Sequence, residues 1–193
     1  MYYKFKNWSW KDITILVTGS SGFVGEILIQ KLKNLKFDVI GLDWKPSKHT
    51  KIIQDVSKPF EVDEKIDTII HLVAKTEQDR SSKQEYFSTN VKGTENVLQI
   101  AKKHNSYFIY ISTAAIYGSP SSPITEQTLI SPNGYYGLTK WKGEQICEKY
   151  RKDGINIAII RPTSILGKKR LGIYAIIFKN LIKDTPIPIL GNG

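Results

Sequence analysis

Cysteine occurs once in the 193 residues, methionine once and histidine three times. A lone Cys147 excludes an intrachain disulfide and fits a reducing compartment. His49, His71 and His104 stand far apart with no cluster of ligand residues around them, so no metal site is expected. Long apolar runs are missing as well. None approaches the roughly 20 residues that cross a bilayer, and the opening MYYKFKNWSWKD has no apolar core of signal-peptide length. These absences predict a cytoplasmic protein with no membrane partner.

Acidic residues are the scarcer sign, 18 against 28 basic ones, for a net charge of +10. A polyanion partner is one reading of that excess. The basic residues are mostly lysine, however, and are spread along the whole chain; arginine occurs only at Arg80, Arg151, Arg161 and Arg170. The densest groups, KLKNLK and GKKR, are short and have no aromatic residues interleaved for stacking on bases. Nucleic acid is therefore not predicted. An anionic substrate, or plain lysine-rich composition, accounts for the charge.

Hydrophobic residues at 40% and charged residues at 24% are ordinary for a globular protein. The length suits one domain, with room for the start of a second. Short β-branched runs alternate with helical periodicity. ITILVTG, FDVIGLD, DTIIHLVA, YFIYIST and INIAIIRP read as strands. FVGEILIQKLKNLK, EYFSTNVKGTENVLQIAKKH and GLTKWKGEQICEKYRKD read as helices. The alternation predicts a doubly wound parallel α/β sheet. Loops are expected at residues 43–50, 74–83 and 118–133.

The first strand runs into TGSSGFVG. Gly19 permits the tight turn, Gly22 a close approach of pyrophosphate to the helix N-terminus, and Gly25 tight packing of helix on strand. Ser21, Phe23 and Val24 share that turn. The spacing is G-x-x-G-x-x-G, a weak signal alone but a dinucleotide cradle when placed between a strand and a helix. Asp43 ends the second strand, where a carboxylate accepts hydrogen bonds from adenosine ribose and repels a 2′-phosphate, favouring NAD over NADP. Lys45 and Lys48 follow and work against that preference. Asp55 reads equally as a contact to adenine or as a turn aspartate.

YYGLTK places Tyr136 and Lys140 one helical turn apart, whereas Tyr135 pairs with Thr139. An ammonium near a phenol lowers a pKa that is normally about 10. Such a tyrosine takes a proton from an alcohol while a nicotinamide takes the hydride. The alternative is two solvent-facing residues of an amphipathic helix. Upstream, Ser112 and Thr113 end a strand, and either hydroxyl could hold the substrate oxygen.

Together TGSSGFVG, GLD, QDVS, HLVA, NVKGTENV, YISTAAIYG, YYGLTK and RPTSILG resemble an extended short-chain dehydrogenase/reductase, the NAD-dependent epimerase/dehydratase family acting on nucleotide sugars. They run in family order over residues 13–167. The resemblance implies a Rossmann domain and the cofactor NAD, with Tyr136 as catalytic tyrosine, Lys140 as the lysine that also holds nicotinamide ribose, and Thr113 as catalytic hydroxyl. It implies that Gly19, Gly22 and Gly25 cradle pyrophosphate, that Asp43 holds ribose, and that Asp55 and Val56 line adenine. Leu72, Val73 and Ala74 would wall the cofactor, with Ile111 and Pro162 at the nicotinamide end. Asn90 would play a more structural part, and Ser164 stands where the family often has asparagine.

The 4,6-dehydratases of the family follow the catalytic threonine with an acidic pair, whereas Ala114 and Ala115 follow Thr113 here. The resemblance therefore implies C4 epimerisation of a nucleotide-diphosphate sugar through transient oxidation. A 4-ketosugar reductase is the alternative, and a non-catalytic NAD-binding or scaffold protein a second one. It also implies a homodimer through the two long helices. Residues 1–11 read as an aromatic extension, 12–167 as the NAD-binding domain with its catalytic residues, and 168–193 as the beginning of a substrate lobe. Lys168 to Arg170 read as a solvated basic turn or a diphosphate contact. With so little of that lobe, the chain is expected to bind NAD and to epimerise poorly or not at all.

Overall fold

The β-branched run Thr14–Thr18 forms β1 at the middle of a parallel sheet. The computed structural model describes residues 13–120, 123–167 and 174–187. The aromatic extension and the GKKR turn lie outside the described residues. After β1 come α1 (Phe23–Asn34), β2 (Asp38–Asp43), β3 (Ile52–Ile53) and β4 (Thr68–His71). Then follow α2 (Lys83–Tyr86), a π-helical turn (Phe87–Lys92), α3 (Gly93–His104), β5 (Tyr107–Ile111), α4 (Tyr135–Lys152), β6 (Ile157–Ile160) and α5 (Tyr174–Ile182).

The six strands lie in the order β3-β2-β1-β4-β5-β6, every pair parallel. Chain order reverses at β1, so the crevice between the carboxyl ends of β1 and β4 is the place where such sheets take ligands. Successive β1 side chains point to opposite faces. Leu16 packs with Ile40, Leu42, Ile69, Phe108 and Tyr110 under Val97 and Leu98 of α3 and Cys147 of α4. Ile15 and Val17 pack with Val39 and with Ile29 of α1. Burial on both faces explains why these strands read as apolar runs rather than as alternating ones.

The predicted doubly wound sheet is thus the observed fold, with local differences. The two-residue β3 is too short to announce itself in sequence. α4 begins at Tyr135, two residues before GLTK, because Gly134 already takes the extended N-cap conformation. The helix expected over residues 85–104 starts at Lys83, where Ser82 and Glu85 form a capping box, and passes through the π turn before α3. The contacts divide the chain into two compact units, one ending at Pro162 and one beginning at Thr163. In the second, α5 has no buried residue.

Candidate cofactor and catalytic site

The turn after β1 is built around close backbone approach. Gly19 has φ +78°, a region that costs a side chain strain, and Gly22 donates its N–H to Gly19 O at 3.0 Å. A Cβ at Gly25 would lie 2.0 Å from Gly19 O, so any larger residue would push α1 off the strand. Gly22 caps α1 without a side chain, leaving the helix start open to an anionic group. Phe23 and Val24 form the first turn behind it.

Asp43 is buried at the end of β2, and its carboxylate ties two loops together. Oδ2 accepts from Ser21 N and Oδ1 from Lys45 N, each at 3.0 Å. The hydroxyls of Ser20, Ser21 and Ser47 all meet Thr50 Oγ1 at 2.9 Å, so the glycine turn and the loop after β2 form one hydrogen-bonded unit. Gly19, Ser21, Gly22, Asp43, Asp55, Val56, Leu72, Val73 and Ala74, all expected at the cofactor, line one open cleft of about 470 Å³. Trp44, Lys45, Gln54, Lys75 and Thr89 line it too, and sequence reasoning missed most of these. Their only signal was position beside the motif residues.

Asn90 does not line this cleft; it backs it. Its side chain is fully buried, accepts from Lys75 N at 2.7 Å, and donates to Lys75 O and to Thr139 Oγ1, both at 3.0 Å. It thereby ties the loop after β4 to the face of α4 next to Lys140. The π turn carries it, as such turns often do at functional sites. His71 is equally buried. Its Nδ1 lies 2.7 Å from Thr18 Oγ1 and its Nε2 3.1 Å from Thr94 Oγ1. Burial, and then the nearby Lys140, push its pKa down to about 3, so the ring is neutral at physiological pH. Among the described residues no group of three or more His, Cys, Asp or Glu could hold a metal.

The remaining expected residues gather at the ends of β5 and β6 and the start of α4 rather than in the cleft. Ile111 ends β5, and Pro162 follows β6. Thr113 opens a 3-10 turn over Ala114–Tyr117, its Oγ1 accepting from Ala115 N at 3.1 Å. Ser112 is buried, and among the described residues its hydroxyl has no hydrogen-bond partner. Tyr136 is half-buried, whereas Tyr135 is exposed and its ring turns toward Tyr86. Ser164 is exposed and falls in the second unit.

Lys140 is only 2% exposed, so the solvent-facing alternative for this lysine does not hold. Its Nζ sits 4.0 Å from the ring centre of Tyr110. Burial pushes its pKa down to about 7, against the opposing pull of Cys147 and Glu144. It is therefore poised to gain or lose a proton near neutrality. Glu144, one turn further along α4, is 1% exposed in its side chain and takes a two-pronged ion pair from Arg161. That pair was not foreseen, since nothing local in the sequence links residues 17 apart.

A glycine cradle at the helix start, a buried carboxylate ending β2 and a hydroxyl-bearing turn beside a Tyr–Lys helix are the marks of a dinucleotide-binding α/β enzyme domain. Comparison with known proteins gives the family. The model of the NAD dependent epimerase/dehydratase family matches residues 15–193, and the chain belongs to that family. An uncharacterized protein of Sinorhizobium fredii is 34% identical over 93% of this chain and 48% of its own length. A putative UDP-glucose 4-epimerase of Methanocaldococcus jannaschii is 30% identical over 93% of this chain and 66% of its own length. Among solved structures, UDP-glucuronic acid 4-epimerase from Bacillus cereus, in complex with UDP-glucuronic acid and NAD, superposes with a TM-score of 0.75. It is 30% identical and covers 94% of this chain and 67% of its own. The chain spans about half to two-thirds of the length of the curated relatives it matches. NAD is the family's cofactor, and the residues here fit it. The space that a Cβ at Gly25 would need is closed, the helix start is uncapped by side chains, and Asp43 presents acceptors at the end of β2.

Proposed function

We propose that this protein is an NAD-dependent nucleotide-sugar epimerase that oxidises the sugar transiently at C4. The observation that carries the reading is the turn after Thr113. Ala114 and Ala115 follow the threonine there, and neither has an acid or base with which to eliminate water. The relative from Methanocaldococcus jannaschii, named for 4-epimerisation of a UDP-sugar, supports the same class.

NAD, when bound, supplies reversible hydride transfer at C4. The residues of the chain do the rest. Gly19, Gly22 and the start of α1 take the pyrophosphate, and Asp43 takes the adenosine ribose. Thr113 holds the C4 oxygen by hydrogen bond. Tyr136, as phenolate, accepts the C4 hydroxyl proton and later returns it. Lys140, when protonated, stabilises that phenolate and reaches toward the nicotinamide ribose. Residues 12–167 are read as the domain that carries these functions, and residues from 168 as the start of the part that reads the sugar. A cytoplasmic homodimer joined through α3 and α4 belongs to the same reading.

Incubation with UDP-glucose and NAD, followed by proton NMR, tests it. Slow appearance of UDP-galactose, or of the C4 epimer of another UDP-sugar in a panel, is the expected result. A 4-keto-6-deoxy sugar would show elimination and overturn the epimerase reading. Net consumption of NADH with a ketosugar would replace it with the reductase.

A further inference from the structure

The part-buried ion pair between Glu144 and Arg161 takes no direct part in the chemistry just described, yet it joins α4, which carries Tyr136 and Lys140, to the turn that Thr113 opens. Glu144 lies on α4 one turn from Lys140 and two turns from Tyr136. Arg161 Nε donates to Glu144 Oε1 at 2.9 Å and Nη2 to Oε2 at 2.6 Å. Its third nitrogen, Nη1, donates to the Tyr117 hydroxyl at 2.6 Å, at the far end of the turn that Thr113 opens. The near end of that turn is held by the two neighbours of Arg161. Ser112 N donates to Ile160 O at 2.7 Å, and Ala114 N donates to Pro162 O at 2.9 Å. Thr113 thus sits between two backbone bonds to residues 160 and 162. The side chain of residue 161 reaches from that point to both Tyr117 and α4.

Building on the proposed function, we infer that Arg161 is a positioning residue that sets the distance between the Thr113 hydroxyl and the Tyr136–Lys140 pair. A guanidinium suits this because its planar fork engages a carboxylate at two points and leaves a further N–H in the same plane for Tyr117. Lysine offers a point charge with no such fork. A buried ion pair is poor evidence of added stability, since apolar residues of similar size often replace it without loss. Its value here is geometric. Proton transfer among a hydroxyl, a phenolate and a substrate oxygen is sensitive to misplacement, and about 1 Å costs on the order of 100-fold in rate.

The test compares the parent with Arg161→Lys, with the double variant Arg161→Met/Glu144→Met, and with Tyr117→Phe. The double variant removes both charges, so no carboxylate is left buried and unpaired. Three readouts are needed: NAD affinity by fluorescence titration, kcat and KM on the UDP-sugar the parent epimerises, and amide hydrogen exchange across residues 112–118. The double variant is expected to bind NAD within about threefold of the parent and to exchange roughly tenfold faster across 112–118. Amides of β1 should be unchanged. Its kcat is expected to fall about 10- to 100-fold with KM nearly constant, and Arg161→Lys to fall with it. Tyr117→Phe removes one hydroxyl and keeps the ring, so it reports even if the double variant does not fold. Exchange across 112–118 about threefold faster is expected there. Parental exchange across 112–118 in these variants overturns the inference whether or not a sugar is turned over. Parental kcat in Arg161→Lys overturns it equally. A parent that turns over no sugar counts against the proposed function, and the exchange rates alone then decide the role of Arg161.

Discussion

Lys140 Nζ lies 4.0 Å from the ring centre of Tyr110, and both side chains are buried beneath α4. The aromatic face offsets part of the cost of placing an ammonium there, yet burial still brings the pKa of Lys140 down to about 7 from 10.5. Between pH 7 and 10.5 the unfolded chain keeps this proton and the folded chain has released it. Stability therefore gains with rising pH across that window, and the full penalty stands below pH 7. Each tenfold loss of proton affinity is worth roughly 1.4 kcal/mol. Lys140→Met, apolar and of similar length, will be more stable than the parent at pH 6 and will lose that advantage by pH 10. Urea midpoints at the two pH values check this, and an equal offset at both would refute it.

His71 has a dependence of the same sign in a more acidic window. Its ring is held neutral between Thr18 and Thr94, with a folded pKa of about 3 against 6.5 for the free side chain. As pH falls below 6.5 the unfolded state takes up a proton that the folded state refuses, so stability drops, by roughly 3 kcal/mol at pH 4. His71→Leu loses two hydrogen bonds and will be weaker than the parent near pH 7. The difference between them will shrink by pH 4. Denaturant titrations at both pH values decide the matter, and a constant difference would mean that His71 does not titrate on unfolding.

Tyr136→Phe removes only a hydroxyl. The variant is expected to fold and to bind NAD as the parent does, while epimerisation falls by about 100- to 10,000-fold, the range attributed to a positioned general base. Tyr135→Phe, at an exposed residue whose ring faces Tyr86, will stay within a few-fold of the parent. Equal losses in the two variants would undo the assignment of the base.

Asp43 is expected to set a preference for NAD over NADP, because its buried carboxylate ends β2 in the cleft. Asp43→Asn keeps an acceptor for one backbone N–H and removes the charge that repels a 2′-phosphate. The ratio of NADP to NAD dissociation constants is expected to fall by roughly tenfold or more in that variant. Asp43→Ala will narrow the ratio too, and will weaken both ligands by freeing Ser21 N and Lys45 N. Tighter NADP binding by the parent would transfer the adenosine contact to Lys45 and Lys48.

What the sequence determined is what depends on near neighbours along the chain. Runs such as ILVT and DVIGLD had to be strands, because β-branched residues bounded by glycine and charge pack on a pleated surface. Their alternation with helices dictated parallel pairing. TGSSGFVG placed a backbone cradle between strand and helix, and the four-residue spacing of Tyr136 and Lys140 put both on one face of α4. The tertiary structure decided whatever depends on residues far apart in sequence. It set Lys140 over Tyr110 rather than in solvent, and it turned Asn90 inward to hold Lys75 and Thr139. It also paired Glu144 with Arg161 and Tyr117. Those contacts have no local signature, because a buried charge or amide takes whichever partner the packed sheet and helices bring within hydrogen-bond reach.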